Sequence, residues 1–126
     1  MKINWFSSKR KDAGASFYNS HLTLNAVAKI PFEHVEFVRI GIDESSNLIL
    51  SPVDRDCYDN PLTDKSECYP ISTHPSYARI SSTPLLRQIA DAFGLTFSST
   101  PAHAKAEYDE KEGVLLIRMS SLKGAN

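Results

Sequence analysis

The sequence predicts an α+β fold: two tandem strand–helix–strand–strand repeats about a pseudo-two-fold axis, forming an antiparallel sheet or small barrel with packed helices. Three observations lead there. A hairpin pattern occurs twice, residues 38–50 aligning without a gap on residues 104–116. In both copies an Asp-Glu pair (Asp43-Glu44, Asp109-Glu110) is followed by Asn47 or Gly113 and then by an apolar run. Short strand-like runs, Leu22-Thr23-Leu24 and Tyr77-Ala78-Arg79-Ile80, precede the two hairpins at matching places. Between the second run and its hairpin, Leu85, Ile89 and Phe93 recur at helical spacing with Leu86 and Ala90 beside them, which makes one face apolar. Duplicated units of this kind bury their faces against each other.

The elements follow in chain order. Residues 1–20 form an N-terminal arm that carries Lys2, Lys9, Arg10 and Lys11 against one acid, Asp12. The first repeat spans residues 21–52. In it Asn25 caps a helix of one or two turns that Pro31 stops. Val38, Ile40 and Ile42 share one strand face, and the turn from Asp43 ends on Asn47, a residue that tolerates positive φ. Residues 53–76 form a linker, where Pro61, Pro70 and Pro75 and five acids argue against regular structure.

The second repeat spans residues 77–119. Its helix opens with Thr83 as cap and Pro84 in the first turn, and ends at Gly94, which suits a left-handed C-terminal position. Residues 120–126 are a tail. The runs Leu48-Ile49-Leu50 and Val114-Leu115-Leu116-Ile117 are expected to be central strands buried on both faces.

Composition bounds the function. A chain of 126 residues with 41% hydrophobic and 23% charged residues is one globular domain that buries a core without metal or disulfide staples. A formal charge of −1 excludes a strongly basic nucleic-acid binder but permits a local basic patch. No apolar run is long enough for a membrane span, and the first residues are too polar for a secretory leader. A cytoplasmic protein with reduced Cys57 and Cys68 is therefore expected.

Chemistry-bearing patterns are few. Ten residues separate Cys57 from Cys68, against the two to four typical of zinc sites, and His21, His34, His74 and His103 fall at no ligand spacing, so no metal site is expected. The two Asp-Glu pairs belong to turns, where Asp bonds nearby amides. Walker loops, dinucleotide glycine patterns and nucleophile elbows are missing. The expectation is a protein that is not an enzyme, with no cofactor and no small-molecule substrate. The local charge signal is Lys9-Arg10-Lys11, flanked by Trp5, Phe6, Phe17 and Tyr18, a composition suited to tracking a nucleic-acid backbone.

A strand, a polar cap, a short helix and a hairpin ending near proline is also the order of the AbrB-like swapped-hairpin motif. Residues 22–25, the helix, residues 38–42 and residues 48–52 occupy the matching places. Two such motifs in one chain resemble MraZ-type proteins. The resemblance implies a homo-oligomeric, possible homodimeric, transcription regulator that binds double-stranded DNA. Lys29, Arg79 and Arg87, with Lys9, Arg10 and Lys11, would supply its phosphate contacts. The family's helix and first loop are richer in Arg and Lys than these regions are. The chain also looks like small uncharacterised bacterial and phage proteins with a similar hairpin, which implies no activity. The alternative is thus a non-enzymatic interaction or structural module, favoured by the near-neutral charge and the acidic linker.

Overall fold

A computed structural model describes residues 1–6 and 12–125. Among these described residues nine strands make one sheet: β1 (Gly14–Phe17), β2 (His21–Asn25), β3 (Phe37–Ile42), β4 (Leu48–Val53), β5 (Cys68–Pro70), β6 (Ser72–Thr73), β7 (Tyr77–Ser81), β8 (Ala102–Asp109) and β9 (Val114–Lys123). Helices are α1 (Arg55–Asp59) and α2 (Thr83–Phe93). Every pairing is antiparallel, in the order β5-β3-β4-β9-β8-β1-β2-β7-β6. The first and last members are consecutive in the chain. β5 pairs with β3, Ile71 donates its N–H to the Glu36 carbonyl (2.9 Å), and β6 pairs with β7. One extended run over residues 68–73 thus joins the two edges and nearly closes the sheet into a barrel.

This corrects the expected α+β architecture. The protein is a strand-built, nearly closed barrel with little helix packing. The physical reason lies in the first repeat. Asn25 Oδ1 accepts from the Ala28 N–H (2.9 Å), but Pro31 falls where a second helical turn would begin, and the chain makes only a turn and a 3-10 segment at Ile30–Phe32. The 53–76 stretch holds α1, a 3-10 turn at Lys65–Glu67 and the two strands of the seam. Exchanging β1-β2-β3-β4 with β5/β6-β7-β8-β9 leaves the strand order around the barrel unchanged.

Alternation along the strands fills the interior. Phe17, Leu22, Leu24, Val38, Leu50, Ala78, Ile80, Leu115 and Ile117 are buried there, and a barrel of about eight strands is just wide enough for side chains to fill it. Phe32 and Ala28, on the β2–β3 crossover, close the end where Asn25 pairs with Tyr77. At the opposite end, where His21 pairs with Ser81, α2 lays Leu85, Leu86 and Ile89 inward. Ser82 rather than Thr83 caps that helix, its Oγ accepting from the Leu85 N–H, and Gly94 ends it at φ 64°. On the outer wall, α1 stacks Tyr58 on Phe37 (3.8 Å between centroids) beside the buried Val53.

The runs expected to be buried on both faces alternate instead. Leu48, Leu50, Leu115 and Ile117 point into the core, while Ile49, Val114 and Leu116 are only half-buried on the outer wall. The hairpin repeat also hides a one-residue slip. Asp43 donates its N–H to the Asn47 carbonyl (3.0 Å) across the three residues 44–46, whereas Asp109 pairs with Val114 across the four residues 110–113, so the second loop is one residue longer. The direct pair Ile49–Leu116 makes Leu48 and Leu50 the counterparts of Leu115 and Ile117, not of Val114 and Leu116. A one-residue shift exchanges the faces of a strand. Positive φ falls on Ser46 (61°) and Gly113 (66°) rather than on Asn47.

Candidate nucleic-acid interface

Alternation that turns apolar residues inward turns polar ones outward, and on one side of the barrel these form a continuous row. Ser72 pairs with Arg79, Arg79 with Thr23, Thr23 with Ser16, Ser16 with His103, and His103 with Lys123. Residues directly opposite in a ladder face the same way, so this row crosses six strands on the outer wall. It holds two cations, an imidazole and three hydroxyls, and no carboxylate. With strands about 4.8 Å apart, Arg79 and Lys123 stand roughly 19 Å apart along the sheet. Lys105, two residues from His103 on β8, adds a third exposed cation to the same wall.

Charge is divided around the barrel. On the β3–β4–β5 side, Arg39 pairs with Glu67 (3.4 Å), and Arg55 pairs with both Glu36 (3.0 Å) and Asp59 (3.4 Å). Beside the row, Arg118 pairs with Glu107. Among the described residues, Arg79, Lys105 and Lys123 have no carboxylate partner. Arg79 donates from Nε to Ser81 Oγ (2.9 Å), which leans its guanidinium toward His21. Partial burial, and secondarily the Arg79 charge, hold His21 below the ordinary imidazole value. His21 Nδ1 bonds Ser20 Oγ (3.0 Å), and His103 Nδ1 bonds Ser16 Oγ (2.8 Å).

Of the residues expected to contact phosphate, Lys9, Arg10 and Lys11 lie outside the described residues. Lys29 does not reach the face. Its side chain is 8% exposed and its Nζ donates to Glu33 (2.5 Å) beneath the β2–β3 crossover. Arg87 sits on α2 at the barrel end. With Asp91 and Thr83 it lines a cavity of about 400 Å³ floored by Leu86, Ala90 and Phe97. Only Arg79 lies in the row. Lys105, Lys123, His103 and His21 complete the face. The strict alternation of Ala102, Ala104 and Ala106 with His103, Lys105 and Glu107 is the signal in the sequence that marks β8 as a one-sided strand.

Among the described residues, no three His, Cys, Asp or Glu side chains are grouped to hold a metal ion. Cys57 and Cys68 are both free thiols, with burial raising the Cys68 pKa. None of the described helices is long and apolar enough to cross a membrane. In comparison with known proteins, the chain matches no family model, no curated protein and no solved structure.

Proposed function

We propose that this protein is a nucleic-acid-binding module that holds a phosphate backbone against the outer wall of β6, β7, β2, β1, β8 and β9. One observation carries the reading: Arg79 and Lys123 stand on a carboxylate-free hydroxyl and imidazole row with Lys105 beside it, while Arg39 and Arg55 of the opposite wall are paired with acids. Hydroxyls, imidazoles and cations are the groups that contact phosphate oxygens without reading sequence. Three or four such contacts give weak, salt-sensitive binding, which suits a chain of near-neutral net charge. Duplex DNA and the regulatory role implied by the swapped-hairpin resemblance belong to this same reading.

Fluorescence anisotropy of labelled 20-nucleotide probes, titrated at two salt concentrations, tests it. Binding should weaken linearly in log–log form. Lys123→Ala should weaken it equally for all sequences and reduce the salt slope by about 1. Salt-independent binding, or a Lys123→Ala protein identical to the parent, would remove the reading.

A second reading, a protein-interaction module, is favoured by Ile3, Trp5, Phe6 and Leu62, large apolar side chains that are all exposed. A cleft of about 310 Å³ between α2 and the β3–β4 hairpin, lined by Ile40, Ile42, Tyr69 and Ile89, offers further apolar surface. Size measurement by sedimentation across a concentration series, in the parent and in Trp5→Ser/Phe6→Ser, tests whether those residues join chains.

A further inference from the structure

Each half of the barrel carries the same small device. The hairpin between β1 and β2 is Tyr18-Asn19-Ser20-His21, and the one between β6 and β7 is His74-Pro75-Ser76-Tyr77. In both, the first residue donates its N–H to the carbonyl of the fourth (2.9 and 2.8 Å), and the first and fourth rings stack. Tyr18 lies on His21 with centroids 4.2 Å apart and planes inclined by 15°, and His74 lies on Tyr77 at 4.6 Å and 20°. The tyrosine and histidine have exchanged places between the halves, yet the flat two-ring platform is kept.

Their placement relative to the cation is specific. His21, Tyr77 and Arg79 all face outward from adjacent strands, since Leu22, Leu24, Ala78 and Ile80 take the inward positions. Tyr77 pairs with Asn25 and Ser81 pairs with His21, so the platforms mark opposite ends of the β2–β7 ladder, about 14 Å apart. Arg79 lies between them. Tyr77 is 38% exposed and His74 is exposed, while Tyr18 and His21 are half-buried. Closing a hairpin requires neither an aromatic pair nor an exposed one.

Building on the nucleic-acid reading above, we infer that the ligand is single-stranded, its bases stacking on the Tyr18–His21 and His74–Tyr77 platforms and its backbone crossing Arg79. Aromatic platforms beside a cationic track hold single strands with little sequence preference, because every base has a π-face. A duplex keeps its bases stacked inside the helix and has none to offer these rings. The hydroxyl row running on to His103 and Lys123 gives the strand a second direction of contact without any change of face.

The test is anisotropy of labelled dT20, dA20 and a 20-base-pair duplex against the parent, Tyr18→Leu/Tyr77→Leu and Tyr18→Phe/Tyr77→Phe. Leucine keeps apolar bulk and removes the ring, whereas phenylalanine keeps it. Both single strands should bind at least about tenfold tighter than the duplex. The leucine pair should lose most of that margin with duplex affinity unchanged, and the phenylalanine pair should retain it. On the parent protein alone, the ring proton resonances of Tyr18 and Tyr77 should move upfield on addition of dT20, a readout that survives any folding defect in the variants. Equal affinity for strand and duplex, or unmoved tyrosine resonances, would overturn the single-strand inference and leave the basic face standing. Absence of binding to all three probes would remove both.

Discussion

Asp43 shows how one side chain sets a turn. Its carboxylate accepts the N–H groups of Asn47 (2.8 Å) and Ser45 (3.0 Å) and the side-chain amide of Asn47 (3.2 Å). These bonds, the Asn47 backbone bond foremost, hold its pKa below the usual carboxylate value. A group whose folded value is depressed stabilises the fold above its unfolded value and loses that contribution as pH falls through the folded one. Asp43→Asn should therefore flatten the acid side of the stability–pH curve, measured by thermal denaturation across the acid range. Equal slopes for parent and variant would show that the turn does not depend on the charge. Lys29 makes the opposite point. Its aliphatic stem is buried and its ammonium reaches a half-exposed Glu33. Lys29→Met should change stability by no more than about 1 kcal/mol and leave nucleic-acid affinity where it was. A marked loss of binding would return Lys29 to the interface.

At the scale of elements, α2 is defined by its ends as much as by its apolar face. Ser82 satisfies one free amide and Gly94 takes a left-handed φ with open space around its α-carbon. Ser82→Ala should cost about 1 kcal/mol, and Gly94→Ala a similar amount through backbone strain alone. The two sites flank an eleven-residue helix, some 16 Å long, so their costs should add in urea denaturation. A sub-additive double variant would mean the helix frays as a unit. The hairpins teach a different lesson. Their sequences align without a gap, but the three-residue loop after Asp43 and the longer one after Asp109 place the returning strands one residue out of phase.

For the whole molecule, closure decides which side of each strand is inside. Leu115 is fully buried in the barrel, and its neighbour Leu116 faces the outer wall opposite Ile49. Leu115→Asp should abolish folding, since an unpaired carboxylate in the core costs several kcal/mol. Leu116→Asp should remain folded with a modest loss. Circular dichroism and gel filtration of the two variants separate a one-sided barrel wall from a strand buried on both faces. If both unfold, the outer wall is covered. Closure also brings β1, β2, β7 and β8 side by side from distant parts of the chain, and this alone places Ser16, Thr23, Arg79 and His103 in one row.

Much of the local structure was legible in the residues themselves. The α2 stripe and its Gly94 stop, the two hairpins with their Asp-led turns, and the alternation in β8 follow from spacing and from local side-chain bonds. The failure of the first helix is local too, because Pro31 carries no amide to continue it. Tertiary structure decided the rest. The extended run over residues 68–73 becomes a seam only because two sheet edges arrive on either side of it, and five nearby acids and the prolines give no hint of that. The same closure buries Lys29, sends Arg87 to the barrel end, and aligns Arg79, His103 and Lys123. Sequence determines which residues alternate and where the chain turns. Which cations share a face depends on strand register across the barrel, a property of pairs far apart in the chain that no single segment encodes.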